Sequence, residues 1–147
     1  MTEIADSLRL AAPPQDVWTA IKAPDEHGTR HPFATAIKGV HKLGEVRECG
    51  VLVGGKPGTT RETCTAYDRG RAITWRIDAD SSGFSRMVHG WTSGFRLKHE
   101  HDSTVVTEWS DFRPKWFVRP MLPMIKRRFH QTQQQILDGL RRHVEGA

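Results

Sequence analysis

The sequence predicts an α+β fold in which one curved antiparallel sheet receives a single long helix. Short strand-type segments separated by turn signals follow one another from Thr35 to Phe112. One amphipathic helix, Pro123–Val144, then carries a continuous apolar stripe. No other segment is long enough to cover the apolar face of such a sheet. We therefore expect one domain over residues 1–147.

The composition favours a folded domain and restricts its partners. A hydrophobic fraction of 37%, with five Trp and six Phe, is enough for a core and excludes general disorder. The net charge is +5, and from Arg113 onward eight Lys/Arg face only two acids, Asp138 and Glu145. We interpret this surplus as a solvated helix face in preference to a nucleic-acid surface. Cys49 and Cys64 lack metal-type spacing, and no apolar leader is visible, so we expect a cytoplasmic protein without a cofactor.

The N-terminal third predicts one strand and two short helices. Residues 3–11 alternate, and the apolar side of that strand has one polar exception, Asp6. Gln15–Lys22 has the apolar spacing of a helix, and Pro24 prevents that helix from continuing. Asp25–Arg30 is expected to form a second short helix or a turn.

Six further strands are predicted before the long helix. They recur about every 10 to 15 residues and are separated by turn clusters such as Gly54–Gly58, which is typical of an antiparallel meander. The expected strands are Ala36–Leu43, Glu45–Val53, Thr59–Tyr67, Arg71–Ala79, Phe84–His99 and Thr104–Phe112. The sheet should therefore have about seven strands in all.

Several short motifs, in this order, resemble the START/polyketide-cyclase (SRPBCC, birch-pollen-allergen-like) superfamily. They are Ala12-Pro13-Pro14-Gln15-Asp16-Val17-Trp18 with Ile21, Leu43-Gly44-Glu45-Val46-Arg47, and Ser103-Thr104-Val105-Val106. The resemblance implies a helix-grip fold, with a curved sheet, two short helices after the first strand and a long C-terminal helix over the sheet. Members bind hydrophobic molecules such as lipids, sterols and polyketides, and some cyclise or dehydrate polyketide intermediates.

Three ionisable residues are candidates for acid–base chemistry. Strand alternation turns Glu62 inward beside Cys64, and it turns His89 inward beside Trp91. In the last strand the alternation leaves two faces open, and the family match favours the one that carries Glu108. Glu62, His89 and Glu108 could then serve as catalytic acid–base groups, as anchors for a ligand, or as a satisfied structural network.

A set of large apolar residues is expected to line a ligand site. Strand alternation supplies four of them, and the resemblance supplies four more, because the front of the long helix often lines the pocket in this family. Ordinary core packing explains the same pattern equally well. The candidates are Trp75, Met87, Trp91, Phe95, Met121, Met124, Ile125 and Phe129.

A histidine pair and an aromatic segment are two further features of the sequence. His27 and His31 have i, i+4 spacing, but no third ligand follows and Pro32 ends the helix, so we expect no metal site. Trp116-Phe117-Val118 lies between Lys115 and Arg119, which would allow transient contact with a membrane surface.

The leading hypothesis is therefore a protein that binds, sequesters or transports a hydrophobic or amphipathic small molecule, lipid-like or polyketide-like, between the sheet and the helix. The alternative is a polyketide aromatase/cyclase-like dehydratase that uses the His/Glu set. The second alternative is an interaction module that binds anionic lipid or nucleic acid through the basic helix. The ligand and the oligomeric state are not encoded in any pattern of this sequence.

Overall fold

The computed structural model describes residues 2–22, 34–39, 43–53 and 56–145. Within these residues one antiparallel sheet has seven strands in the order β1-β7-β6-β5-β4-β3-β2. The strands are β1 Thr2–Leu10, β2 Ala34–Gly39, β3 Val46–Val53, β4 Lys56–Asp68, β5 Ala72–Asp80, β6 Val88–Glu100 and β7 Ser103–Pro114. The predicted antiparallel sheet is confirmed.

Two α-helices accompany the sheet, α1 Pro14–Lys22 and α2 Leu122–Glu145. Helix α2 crosses back over the sheet and packs on β1, β7 and α1, which confirms the prediction of a long C-terminal helix laid on the strands. Two short 3₁₀ segments, Phe84–Arg86 and Trp116–Met121, precede β6 and α2. The expected second short helix at Asp25–Arg30, the pair His27 and His31, and Gly54-Gly55 lie outside the described residues.

The apolar contacts along α2 divide into two clusters. Toward its C-terminal end, Leu137 and Leu140 pack with residues of β1, α1 and β7. Toward its N-terminal end, Ile125 packs with Ile4, Val88, Phe112 and Val118. A third cluster, Trp18, Cys64, Ile73 and Trp75, joins α1 to β4 and β5. The apolar core thus contacts α2 toward both of its ends, and the middle of the helix belongs to neither cluster.

The middle of α2 carries a buried polar residue, Gln133, which is only 2% exposed. Gln133 therefore lies on the inner face of the amphipathic helix, although a polar residue is expected on its outer, basic face. Ile125, Phe129, Gln133 and Leu137 follow one another at intervals of four residues and therefore share one face of the helix. Gln133 is tolerated there because its side chain finds a hydrogen-bond partner on the sheet.

A β-bulge reverses the alternation near the start of β6. The register with β7 shifts between His89 and Thr92, and Gly90 within the bulge has a positive φ of 61°. Val88 is buried, His89 is exposed, and Trp91 faces the interior again. The predicted inward orientation of His89 is therefore wrong, because one extra residue in a strand turns the following side chains to the other face.

Candidate functional site

Three polar side chains lie at one level between the sheet and α2, and together we call them the polar layer: Asp6, Glu108 and Gln133. Asp6 on β1 and Glu108 on β7 are direct register partners. Gln133 Nε2 donates to Asp6 Oδ2 at 2.8 Å. Buried apolar residues lie on either side of the layer on each of the three elements. They are Ile4 and Leu10 on β1, Phe112 and Val106 on β7, and Ile125 and Leu137 on α2.

Asp6 is well supplied with hydrogen-bond donors. Besides Gln133, His130 places its Nδ1 atom 2.8 Å from Asp6 Oδ2, and Gln134 Nε2 donates to Asp6 Oδ1 at 3.4 Å. The Asp6 side chain is 13% exposed and that of His130 is 44% exposed. The imidazole of His130 therefore connects the interior carboxylate to the protein surface.

Glu108 is in a different position. Its Oε2 atom is buried and has no hydrogen-bond partner among the described residues. Burial raises the pKa of Glu108 well above the ordinary range for glutamate; the Asp6 carboxylate raises it further, Arg47 opposes the shift and Glu62 adds to it. Gln133 Oε1 is a second buried oxygen without a partner in the same layer. An unsatisfied buried polar atom costs about 1–3 kcal/mol, so the two unpartnered oxygens destabilise the fold.

Glu62 and Arg47 form a second buried polar pair close to this layer. They lie opposite each other on β4 and β3, and Arg47 donates through Nε and Nη2 to Glu62 Oε1 at 2.9 and 2.6 Å. Thr60 Oγ1 donates to the other carboxylate oxygen at 2.9 Å. The Arg47 guanidinium lies 3.6 Å from the ring centre of Trp75, a cation–π contact. Both oxygens of Glu62 therefore have partners.

Aromatic rings surround the polar layer on the interior side. Trp91 and Phe129 meet with their ring centroids 6.1 Å apart, and Phe84 contacts both. On the other side, Phe95 is the register partner of Glu108 and packs edge-on against Trp75 at 6.4 Å. Trp75 is fully buried, whereas Phe84, Trp91, Phe95, Phe129 and Glu108 keep some accessible surface.

Most of the sequence-predicted site residues reach the interior. Glu62 and Glu108 do so, which agrees with the family-based choice for the last strand, where Val106, Ser110 and Phe112 are buried. Six of the predicted apolar residues also lie in or against the core clusters: Trp75, Met87, Trp91, Phe95, Ile125 and Phe129.

Three predicted site residues do not reach the interior. His89 is exposed because of the bulge in β6. Met121 and Met124 are 37% and 56% exposed, so their side chains lie at the surface, and their expected role beside a pocket stays a prediction. Met124 precedes the buried Ile125 by one residue, which on an α-helix rotates its side chain by about 100° away from the core.

Four residues of the site escaped the sequence analysis: Asp6, Arg47, His130 and Gln133. Asp6 had a signal, because it is the one polar residue on the apolar side of the first strand. Gln133 had one too, since it lies four residues after Phe129 and four before Leu137. Arg47 and His130 become visible only through the strand register and the packing of α2.

The described residues include no group of three or more His, Cys, Asp or Glu side chains placed to hold a metal ion. The described helices include none that is long and apolar enough to cross a membrane.

Over residues 1–145 the sequence matches the family described as polyketide cyclase/dehydrase and lipid transport. The chain belongs to this family. A comparison with curated protein sequences finds no match.

Solved structures repeat the same fold at low sequence identity. A START superfamily protein from Mycobacterium smegmatis is 14% identical, with a TM-score of 0.79 over 98% of this chain and 97% of that one. The di-domain ARO/CYC StfQ from the steffimycin biosynthetic pathway is 15% identical, with a TM-score of 0.79 over 98% of this chain and 50% of that one. Norcoclaurine synthase from Thalictrum flavum, in complex with dopamine and hydroxybenzaldehyde, is 18% identical, with a TM-score of 0.75 over 99% of this chain and 87% of that one. At these identities the likeness establishes the fold.

Proposed function

We propose that the protein binds an amphipathic small molecule between the sheet and α2, with the polar group of that molecule held by the polar layer. One observation carries the proposal: Glu108 Oε2 is buried in the middle of an apolar interface without a partner. Buried polar atoms in folded proteins are almost always hydrogen-bonded, and perturbed carboxyl groups are concentrated at functional sites. A guest that hydrogen-bonds to Glu108 removes this cost.

The chemistry of the layer favours a hydroxyl group on the guest. Gln133 Oε1 and Glu108 Oε2 both need a donor. The raised pKa of Glu108 also keeps a proton on the carboxyl group to higher pH than usual, so Glu108 can donate as well as accept. A hydroxyl group, which does both, matches this pair. The apolar remainder of the guest would pack on the rings of Trp91, Phe95 and Phe129, as a lipid-like or polyketide-like molecule can.

Accessibility supports room for such a guest. Burial perturbs Glu108 strongly, yet the residue keeps some accessible surface, as do Trp91 and Phe129. We propose that this accessible surface faces a space between the sheet and α2 that a guest can enter. The family description, which joins cyclases and dehydrases to lipid transport, is in keeping with a guest of this kind.

The first test is native mass spectrometry of freshly purified protein, where we expect a bound mass in the range of a small molecule. The second compares 2-naphthol with naphthalene, two probes that differ only in one hydroxyl group. Titration calorimetry should show tighter binding of 2-naphthol. Glu108→Met should remove that preference, because the methionine side chain is of similar size but makes no strong hydrogen bond.

The matched control is Glu48→Met, the same substitution at an exposed position of β3. It should leave the preference for 2-naphthol unchanged. If the protein carries no bound mass and binds neither probe, ligand binding is refuted. If both probes bind equally well to the unmodified protein, the role of the polar layer is refuted while apolar binding stands.

A second candidate function is dehydration of a β-hydroxy ketone, favoured by the perturbed carboxyl group of Glu108 beside the Asp6 carboxylate. Glu108 would protonate the departing hydroxyl group, which leaves as water, and Asp6 would accept the proton from the neighbouring carbon. His89 is exposed and has no place in this scheme. Dehydration of 4-hydroxy-4-methyl-2-pentanone, followed by the absorbance of the enone product, tests it. Glu108→Gln should abolish turnover, and turnover that survives this change would exclude the role.

A further inference from the structure

The connection from β7 to α2 exposes four large apolar side chains, which we call the apolar patch: Trp116, Phe117, Met121 and Met124. They are 80%, 46%, 37% and 56% exposed, respectively. The rings of Trp116 and Phe117 meet edge-on at 5.8 Å. Several large apolar side chains exposed within nine residues are unusual for a surface that only meets water, and such patches mark interaction sites.

The patch is held on a fixed backbone. Val118, between the exposed residues, is fully buried in the cluster that contains Ile125. The backbone N–H of Lys115 donates to Met87 O at 3.1 Å, and that of Val118 donates to Lys115 O at 2.9 Å. Because the segment is anchored on both sides of Trp116 and Phe117, these side chains project outward as a consequence of the fold.

The charged residues along the segment that carries the patch all have one sign. Between residues 113 and 137 the sequence contains no Asp or Glu, and its six cationic residues are Arg113, Lys115, Arg119, Lys126, Arg127 and Arg128. Arg127 and Arg128 lie three and four residues after Met124, so on the helix they are its direct surface neighbours. An apolar centre bearing Trp and Phe, with the six cationic residues of the same segment as its basic rim, is complementary to the surface of an anionic lipid bilayer.

We propose that the apolar patch docks on anionic lipid bilayers, with Trp116 and Phe117 inserted at the level of the headgroups and the basic rim facing the anionic lipids. Docking of this kind needs no bound guest, and the proposal therefore stands apart from the ligand-binding function. The surface that docks also adjoins, through Val118 and Ile125, the aromatic cluster of Trp91 and Phe129. The docked protein would thus bring one end of the sheet–helix interface close to the bilayer.

The test is flotation of the full chain with vesicles of phosphatidylcholine alone and of phosphatidylcholine with 30% phosphatidylglycerol. We expect binding to the anionic vesicles only, and weaker binding as salt is raised. Trp116→Ser/Phe117→Ser should reduce this binding at least about tenfold, because the inserted rings are lost. Arg119→Glu/Arg128→Glu should reduce it by a similar factor, because two attractive charges become repulsive.

The matched control for the charge reversal is Arg69→Glu/Arg71→Glu. These two exposed arginines lie in the turn between β4 and β5, where the Arg71 carbonyl accepts a hydrogen bond from Leu97 N–H near the C-terminal end of β6. Lys115, which precedes the patch, is hydrogen-bonded to Met87, just before the N-terminal end of β6, so the control site lies at the other end of that strand. The control changes the net charge equally and should keep vesicle binding. The proposal is overturned if the unmodified protein ignores anionic vesicles, if both charge reversals weaken binding equally, or if the serine variant binds as well as the unmodified protein. Circular dichroism must show that each variant keeps the native fold. Tighter binding to a single-stranded oligonucleotide than to the anionic vesicles would also overturn it, since exposed aromatic rings stack on bases.

Discussion

Glu62 and Glu108 both point from the sheet into the interior, but their carboxyl groups differ in hydrogen bonding. Glu62 has a partner for each oxygen, from Arg47 and Thr60. Glu108 has a buried oxygen without any partner, and burial raises its pKa well above the usual range. The fold therefore provides hydrogen-bond partners for both oxygens of one interior carboxylate, that of Glu62. The unpartnered oxygen of Glu108 is the observation on which the proposed ligand site rests.

The largest expected effect comes from breaking the satisfied pair. Arg47→Met removes the guanidinium and leaves the buried Glu62 carboxylate without its counter-ion. Loss of one partner of a buried ion pair typically costs about 3–5 kcal/mol, so we expect a fall in the free energy of unfolding near the lower end of that range. Urea denaturation followed by tryptophan fluorescence measures it.

Arg76→Met is the matched control, because Arg76 pairs with Asp78 on the exposed face of β5. It should cost no more than about 1 kcal/mol, as exposed ion pairs do. The double variant Arg47→Met/Glu62→Met should regain much of the lost stability, since no buried charge remains. Equal costs at Arg47 and Arg76 would show that burial of the Glu62 pair has no energetic consequence.

The next effect has the opposite sign. Glu108→Met replaces an unsatisfied carboxyl group by an apolar side chain, so we expect the free energy of unfolding at neutral pH to rise by about 1–3 kcal/mol. Glu62→Met, the same substitution at the satisfied position, should lower it, because Arg47 then lacks its counter-ion. Thermal unfolding of both variants measures the contrast. A loss of stability at both positions would contradict the distinction between the two glutamates.

The pH dependence of stability sharpens the same contrast. Because burial raises the pKa of Glu108 in the folded state, the folded protein binds that proton more tightly than the unfolded chain does. The resulting stabilisation is fully present below the unfolded pKa of about 4.3 and is lost as pH rises through the folded pKa. Relative to Glu108→Gln, which cannot titrate, the unmodified protein should therefore lose stability as pH increases above this value.

The measurement is the difference in urea midpoint between the two proteins from pH 4 upward. Three other carboxyl groups, those of Asp78, Asp80 and Glu100, have lowered pKa values. Burial raises the pKa of Asp78 and Asp80, but their hydrogen bonds outweigh it. Arg9 lowers the pKa of Glu100. Those groups stabilise the fold at higher pH and are present in both proteins, so their contribution cancels in the difference. A difference that stays constant with pH would show that Glu108 titrates normally.

The sequence was sufficient for the architecture because periodicity and turn signals act locally. The strand predicted at Arg71–Ala79 and the long C-terminal helix were both confirmed, although Gln133 interrupts the apolar stripe of that helix. The site was harder to predict, since strand alternation holds only while the ladder is regular. The bulge at Gly90 removed His89 from the interior, and no residue pattern announces that bulge. The pairing of Arg47 with Glu62 depends on the register between two strands, which the hydrophobic pattern of those strands does not determine.

The smallest expected effect tests whether the polar layer extends into α2. Gln133→Leu removes the donor to Asp6 Oδ2 but also removes an oxygen that has no partner, so the two effects partly offset each other. We expect a loss of about 0.5–1 kcal/mol in the free energy of unfolding, the usual net value of one hydrogen bond. Gln134→Leu is the matched control, because this exposed neighbour reaches Asp6 only at 3.4 Å. Gln134→Leu should lower the free energy of unfolding by less than Gln133→Leu does. Of the two substitutions, only Gln133→Leu should weaken the binding of 2-naphthol. Equal effects of the two substitutions on probe binding would restrict the layer to Asp6 and Glu108 and would leave α2 with a purely apolar contact to the guest.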